Sequence, residues 1–167
     1  KKRLPWLVLG IAGSTLAAGI ISYFESSLEK IILLALFIPA VTYISDAVGT
    51  QSETIFIRTI ALDRNFKIFK YLKRELLVWF GMSVPLSIVI FGISILFWHS
   101  LIVSLTLAIT VFVSILISMM IAVVQPWLFA KIKIDPAVIG GPLDTIVSDL
   151  ISIIIYYTIY NTININI

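Results

Sequence analysis

Apolar residues run along this chain in long blocks, broken at intervals by short polar or basic stretches. A membrane-spanning helix needs about 20 mostly apolar residues in a row. Five blocks reach that length and predict helices over residues 4–24, 31–62, 76–98, 101–131 and 136–160. The second block differs from the others in having a polar interior. Between the second and third lies DRNFKIFKYLKREL, residues 63–76. There Phe66, Phe69, Leu72 and Leu76 recur at helical spacing, while Lys67, Lys70, Lys73 and Arg74 fill the rest of the wheel. This pattern predicts a short amphipathic helix over 63–75, lying in the membrane interface and meeting anionic lipid through those four cations. A plain basic loop is the other reading.

Composition strengthens the membrane assignment. Of 167 residues, 60% are hydrophobic and 13% are charged, against about 25% charged in a soluble domain. That is too much apolar surface for one globular core, so the expectation is an all-α integral membrane protein with a single transmembrane domain over 1–167. The start, KKRLPWLVLG, reads as a first membrane helix or the continuation of sequence upstream, not as a cleaved leader. There is no cysteine, which excludes disulfides and thiolate metal sites. Any metal would meet oxygen ligands or the single His99, which reads first as an interfacial residue. Trp6, Trp98 and the tyrosines Tyr156, Tyr157 and Tyr160 suit aromatic belts at the two surfaces.

Charge placement supplies orientation. With five spans, one side collects Lys1, Lys2, Arg3, Arg58, Arg64, Lys67, Lys70, Lys73, Arg74, Lys131 and Lys133, which are 11 of the 12 basic residues. Lys30 is left on the other side, beside Glu25 and Glu29. By the positive-inside rule the N-terminus is cytoplasmic and the C-terminus outside. The net charge of +3 is then an orientation signal and implies no nucleic-acid partner.

Two segments carry acid at membrane depth. In FIPAVTYISDAVGTQSETIFIR, residues 37–58, Asp46, Gly49 or Thr50, and Glu53 share one helical face. Pro39 and Gly49 loosen that helix and free carbonyls, which is tolerated inside protein or along a wet cavity. In GGPLDTIVSDLISIIIYY, residues 140–157, Thr145, Asp149, Ser152 and Tyr156 form a stripe. Asp144 lies about 140° from Asp149 around an ideal helix and close enough to the helix start to be supported by its dipole. Asp149 has no such support, and no Lys or Arg follows Pro136. A carboxylate in such a place either meets a cation or carries a proton in a relay. Carboxylate, hydroxyl and carbonyl oxygens match hard ions such as Mg²⁺ or Ca²⁺.

These residues together resemble the membrane domain of the MgtE magnesium channels and transporters, a family related to eukaryotic magnesium solute carriers. The resemblance rests on Tyr23-Phe24-Glu25 after the first helix. It rests also on Pro39 followed by Gly49-Thr50-Gln51, Arg58 and Ala61-Leu62. The last part is Asp135-Pro136-Ala137 followed by Gly141-Pro142, Thr145 and Asp149. It implies a homodimer in a prokaryotic inner membrane, with a pore at the subunit interface lined by the second and fifth helices. Mg²⁺ is the implied cargo, and the family's intramembrane aspartate falls on Asp149, with Thr145 one turn earlier. The chain departs from the family pattern at Ser45-Asp46-Ala47-Val48, at Glu53 and at Asp144, where the family commonly has no acid. It has no counterpart of the family's cytoplasmic regulatory domains, including the CBS pair.

The expectation is therefore a divalent-cation transporter and not an enzyme. Its ion pathway would comprise Asp149, Thr145, Asp46, Gly49, Glu53 and Asp144, and its lipid contact Lys67, Lys70, Lys73 and Arg74. Two other classes compete with it. An intramembrane aspartyl enzyme would want a Gly-x-Gly-Asp sequence where this chain has Gly-Gly-Pro-Leu-Asp. A non-transporting helper subunit would use its acids only to pair with a partner's bases.

Overall fold

The computed structural model of the chain describes residues 4–23, 32–63 and 66–165. The basic residues Lys1, Lys2, Arg3 and Arg64, and the segment with Phe24, Glu25, Glu29 and Lys30, lie outside the described residues, as does the side chain of Trp6. The described chain is all helical: α1 Leu4–Tyr23, α2 Ile32–Leu62, α3 Ile68–Trp98, α4 Leu101–Lys131 and α5 Pro136–Ile165. Ile68–Trp98, Leu101–Lys131 and Leu143–Ile163 are each long and apolar enough to cross a membrane, and Leu7–Tyr23 is a shorter apolar stretch. At 31 residues, α3 and α4 are each roughly 46 Å long at 1.5 Å per residue. A hydrocarbon core is only about 30 Å thick, so each has turns to spare.

Those spare turns account for the first difference from the sequence reading. Residues 68–75 are not a separate interfacial helix preceding a span that begins at 76; they are the first two turns of α3. No glycine or proline interrupts residues 68–80, and Tyr71, Glu75 and Trp79 fall on the same buried seam as Ser83, Ser87, Ile90 and Ser94. Phe66 anchors the approach, with its ring 5.5 Å from Phe56 and 5.6 Å from Tyr71.

The turns are built by local chemistry. His99 takes up a left-handed conformation (φ 51°) and its N–H donates to the Ile95 carbonyl, after which the Ser100 side chain accepts from the Val103 N–H. A two-residue turn of this kind holds α3 and α4 as antiparallel neighbours. After α4, Lys133 is also left-handed (φ 60°). Its N–H and that of Ile134 return to the Ala130 and Phe129 carbonyls, the paired bonds of a Schellman stop. Pro136 then opens α5 at the one helical position where a missing N–H costs nothing.

Helix α4 is the centre, packed against α2, α3 and α5, while α5 also contacts α1 and α2. One seam of α4 is apolar: Val103, Leu107, Val111, Ile115, Met119 and Val123. The adjoining seam is small and hydroxylated, with Thr106, Thr110, Ser114 and Ser118 all buried. Small residues let helices approach closely where lipid gives no hydrophobic drive. Several hydroxyls turn back to the carbonyl one turn earlier, as Thr106 does to Ile102 at 2.8 Å and Ser45 to Val41 at 3.0 Å, so their burial leaves the donor satisfied. Tyr156, Tyr157 and Tyr160, expected in an outer belt, are instead at most 1% exposed. They fill the space between helices.

Candidate ion site

The acids of the second and fifth helices meet where α2 and α5 cross. The Thr145 hydroxyl donates to Asp46 Oδ1 at 3.0 Å, joining the two helices across 99 residues of sequence. Asp149, one turn beyond Thr145, shares with it a groove of about 260 Å³ between α5 and α1. The α1 wall is made of Gly10, Gly13, Ser14 and Ala17, so this carboxylate faces small side chains and space. Gly13 is required by the packing: a Cβ there would come within 2.5 Å of Ile146 Cγ2.

Asp144 lies elsewhere. Helix α5 starts at Pro136, so Asp144 sits in its third turn, beyond the reach of the free N–H groups and dipole of a helix start. This corrects the sequence reading. The stripe expected over Thr145, Asp149, Ser152 and Tyr156 also divides. Asp144, Ser148, Ser152, Tyr156 and Tyr160 form the buried seam of α5, spaced by four, while Thr145 and Asp149 flank it and are half-buried.

On α2, Asp46 is half-buried, Gly49 and Glu53 are buried, and Thr50 is exposed. Charge repulsion links Asp46 to Glu53, Asp144 and Asp149, and Glu53 to Asp144. Among the described residues, none of these four acids pairs with a base, whereas Glu75 of α3 lies 3.6 Å from Arg74. Nor do any three Asp, Glu, His or Cys side chains converge to encircle a bare ion among the described residues. The arrangement is a concentration of negative charge around a helix crossing, bordered by hydroxyls. It is suited to a cation that keeps much of its water.

One part of the site was not found by reading the sequence. The Ser148 hydroxyl of α5 donates to Ser118 Oγ of α4 at 3.0 Å, and Ser118 donates in turn to the Ser45 carbonyl of α2 at 2.8 Å. This relay ties three helices together beside Gly49, whose missing side chain makes room for it. A Cβ on Gly49 would overlap Ser118 Oγ and lie 3.4 Å from Asp144 Oδ2. The signal available in sequence was the four-residue spacing of Thr106, Thr110, Ser114 and Ser118.

Described basic residues gather where α3 begins and α4 ends. Lys67, Lys70 and Lys73 line a recess of about 670 Å³ with Trp127 and Lys131 at the end of α4. Lys131 Nζ stands 3.8 Å from the Trp127 ring centre. Arg74 is exposed and leans over Tyr71, at 5.6 Å. His99 is spent on the α3–α4 turn.

Residues 38–159 match a family model, MgtE, whose description is "Divalent cation transporter". The chain is 32% identical over 160 residues to a protein of Bacillus subtilis (strain 168) named Magnesium transporter MgtE, covering 95% of this chain and 36% of that protein. It is 30% identical over 162 residues to a protein of the same name from Enterococcus faecalis, covering 95% of this chain and 35% of that one. A third, from Thermus thermophilus, is 29% identical over 162 residues, or 94% and 35% of the two chains. The chain thus spans about a third of the length of the curated relatives it matches.

Proposed function

Because the chain belongs to the MgtE family of divalent cation transporters, we propose that it conducts Mg²⁺ across a membrane along a path where α5 faces α1 and α2. The family is one of transporters and not of enzymes, so the aspartyl-enzyme reading is set aside. The helices and the family make this an integral membrane protein. In the proposal all five helices cross the bilayer, with the N-terminus cytoplasmic, the C-terminus outside, and two copies enclosing the pore. The host membrane is a prokaryotic inner membrane, in keeping with the bacterial relatives.

The observation that carries the reading is the Thr145–Asp46 hydrogen bond beside Asp149, within a group of acids lacking any base among the described residues. Mg²⁺ sheds water reluctantly and is commonly held through one or two carboxylates with several waters retained. Asp149, open to the groove, meets the hydrated ion. Thr145, which lines the same groove, fixes one oxygen of Asp46. Glu53 and Asp144 deepen the negative potential; α2 runs unbroken through Pro39 and Gly49, so the backbone carbonyls expected to be freed there stay within the helix. Divalent ions gain twice the Coulomb energy of monovalent ones from this field. Release is possible because the ion keeps its water and is never fully enclosed. At the basic end, Lys67, Lys70, Lys73 and Arg74 meet anionic lipid headgroups.

The test is Mg²⁺ entry into liposomes carrying the purified chain, beside empty liposomes and the Asp149→Ala variant. Entry in the parent alone supports the proposal. No entry in the parent moves the weight to a helper subunit, and equal entry in the variant removes Asp149 from the path.

A further inference from the structure

The pore reading gives Asp144 and Glu53 a share in the negative field, but it does not account for their burial without partners. Asp144 is 2% exposed and neither of its carboxylate oxygens has a hydrogen-bond partner; Glu53 is 5% exposed and its Oε1 has none. The two repel each other, and both are repelled by Asp46. Isolated buried carboxylates are among the costliest groups a fold can hold, yet this chain buries two in its helix core, Glu53 one turn beyond Gly49 and Asp144 with Oδ2 against it.

Their surroundings say what is missing. Asp144 Oδ2 and Ser118 Oγ both stand against Gly49. Ser118 spends its hydrogen on the Ser45 carbonyl and Ser148 spends its hydrogen on Ser118. What these two hydroxyls have left is lone pairs, which cannot satisfy a carboxylate. Two carboxylates with spare hydroxyl lone pairs form an all-oxygen, doubly negative donor set, the preference of a hard divalent cation. The site is separate from the groove: Asp144 lies on the buried seam of α5, and Asp149 opens toward α1.

We propose that Asp144 and Glu53 form a second cation site, internal to one chain, in which a hard divalent ion clamps α5 to α2 beside the Ser148–Ser118–Ser45 relay. The proposal rests on the transport reading only for the class of ion, not for its location. A resident ion there neutralises the acids that the family pattern does not call for and makes helix packing depend on divalent cation.

The experiment counts Mn²⁺ bound to the purified full chain in detergent by electron paramagnetic resonance, beside Asp144→Asn, Glu53→Gln and Asp149→Asn. The expected result is that Asp144→Asn and Glu53→Gln each lose the same class of bound Mn²⁺, about one per chain, while Asp149→Asn loses a different class. In metal-free buffer the Asp144→Asn chain should melt no lower than the parent, because a repulsion has been removed. Mn²⁺ should raise the melting temperature of the parent more than that of the variant. Parent-like Mn²⁺ counts in both Asp144→Asn and Glu53→Gln overturn the proposal and leave protons as what satisfies the acids. So does an Asp144→Asn chain that fails to fold while Glu53→Gln binds as the parent does. Loss of a class in those two variants with none lost in Asp149→Asn sustains this site and counts against Asp149 as the ion's ligand.

Discussion

Substituting Gly49 by alanine is the sharpest probe of the helix crossing on which the ion site depends. The added methyl would overlap Ser118 Oγ and touch Asp144 Oδ2 at 3.4 Å. Overpacking of this kind costs about 1–3 kcal/mol. If Ser118 turns away to relieve it, the bonds from Ser148 and to the Ser45 carbonyl are lost, at about 1 kcal/mol each. Alanine gains about 1 kcal/mol over glycine in helix propensity. Since either route is offset by the propensity gain, the net expectation is a destabilisation of up to about 2 kcal/mol, measured by reversible unfolding in mixed micelles. A double-mutant cycle separates the parts. Ser118 Cβ lies 3.5 Å from the new methyl, an ordinary contact, so Gly49→Ala combined with Ser118→Ala removes the overlap. The double variant should be more stable than the two single losses added together, by about 0.5–3 kcal/mol. Additive losses, or a Gly49→Ala chain more stable than the parent by the propensity gain alone, would show that Ser118 does not stand against Gly49.

Other consequences follow from the same geometry. Thr145→Val removes the donor to Asp46 and should cost about 1.5–3 kcal/mol, the range for a hydrogen bond to a charged group; Thr145→Ser should restore it, and equal stability of the two variants would count against the bond. Gly13→Val drives a side chain into Ile146 and should destabilise the α1–α5 packing by about 1–3 kcal/mol, with Ile146→Ala recovering part of the loss in a paired unfolding measurement. Replacing Lys67, Lys70 and Lys73 together by glutamine should lower the ratio of anionic to zwitterionic lipid that copurifies, since each cation is worth about 1 kcal/mol near an anionic surface; an unchanged ratio by mass spectrometry would remove their lipid role.

Much of this arrangement could be read from the chain, for identifiable reasons. The all-helical character followed from apolar blocks of membrane length, because backbone groups in lipid must be satisfied within the segment. The stop at His99–Ser100 and the restart at Pro136 carry local chemistry. What periodicity could not supply was which neighbour each stripe meets. Asp144 and Asp149 differ by five residues, and the sequence showed that they diverge; it did not show that Asp144 turns into the core toward Gly49 of α2 and Asp149 toward α1. The tyrosines near the end of α5 suited a membrane belt by type, yet packing buries them, since the same residues suit either place. The start of α3 at Ile68 was missed because a charged first turn resembles an interfacial helix until Tyr71 and Glu75 are seen to continue the buried seam. The serine relay was hidden most completely, because its partners are 30 and 73 residues apart.

The account turns on a single carboxylate facing the α1–α5 groove, and Asp149→Asn tests it with the least disturbance, since the side chain keeps its shape and loses only its charge. The measurement is the initial rate of Mg²⁺ entry into liposomes, normalised to reconstituted protein. Loss of a charged contact worth about 1.5–3 kcal/mol should slow entry by about tenfold or more. A rate equal to the parent's would mean that the ion does not rest on Asp149.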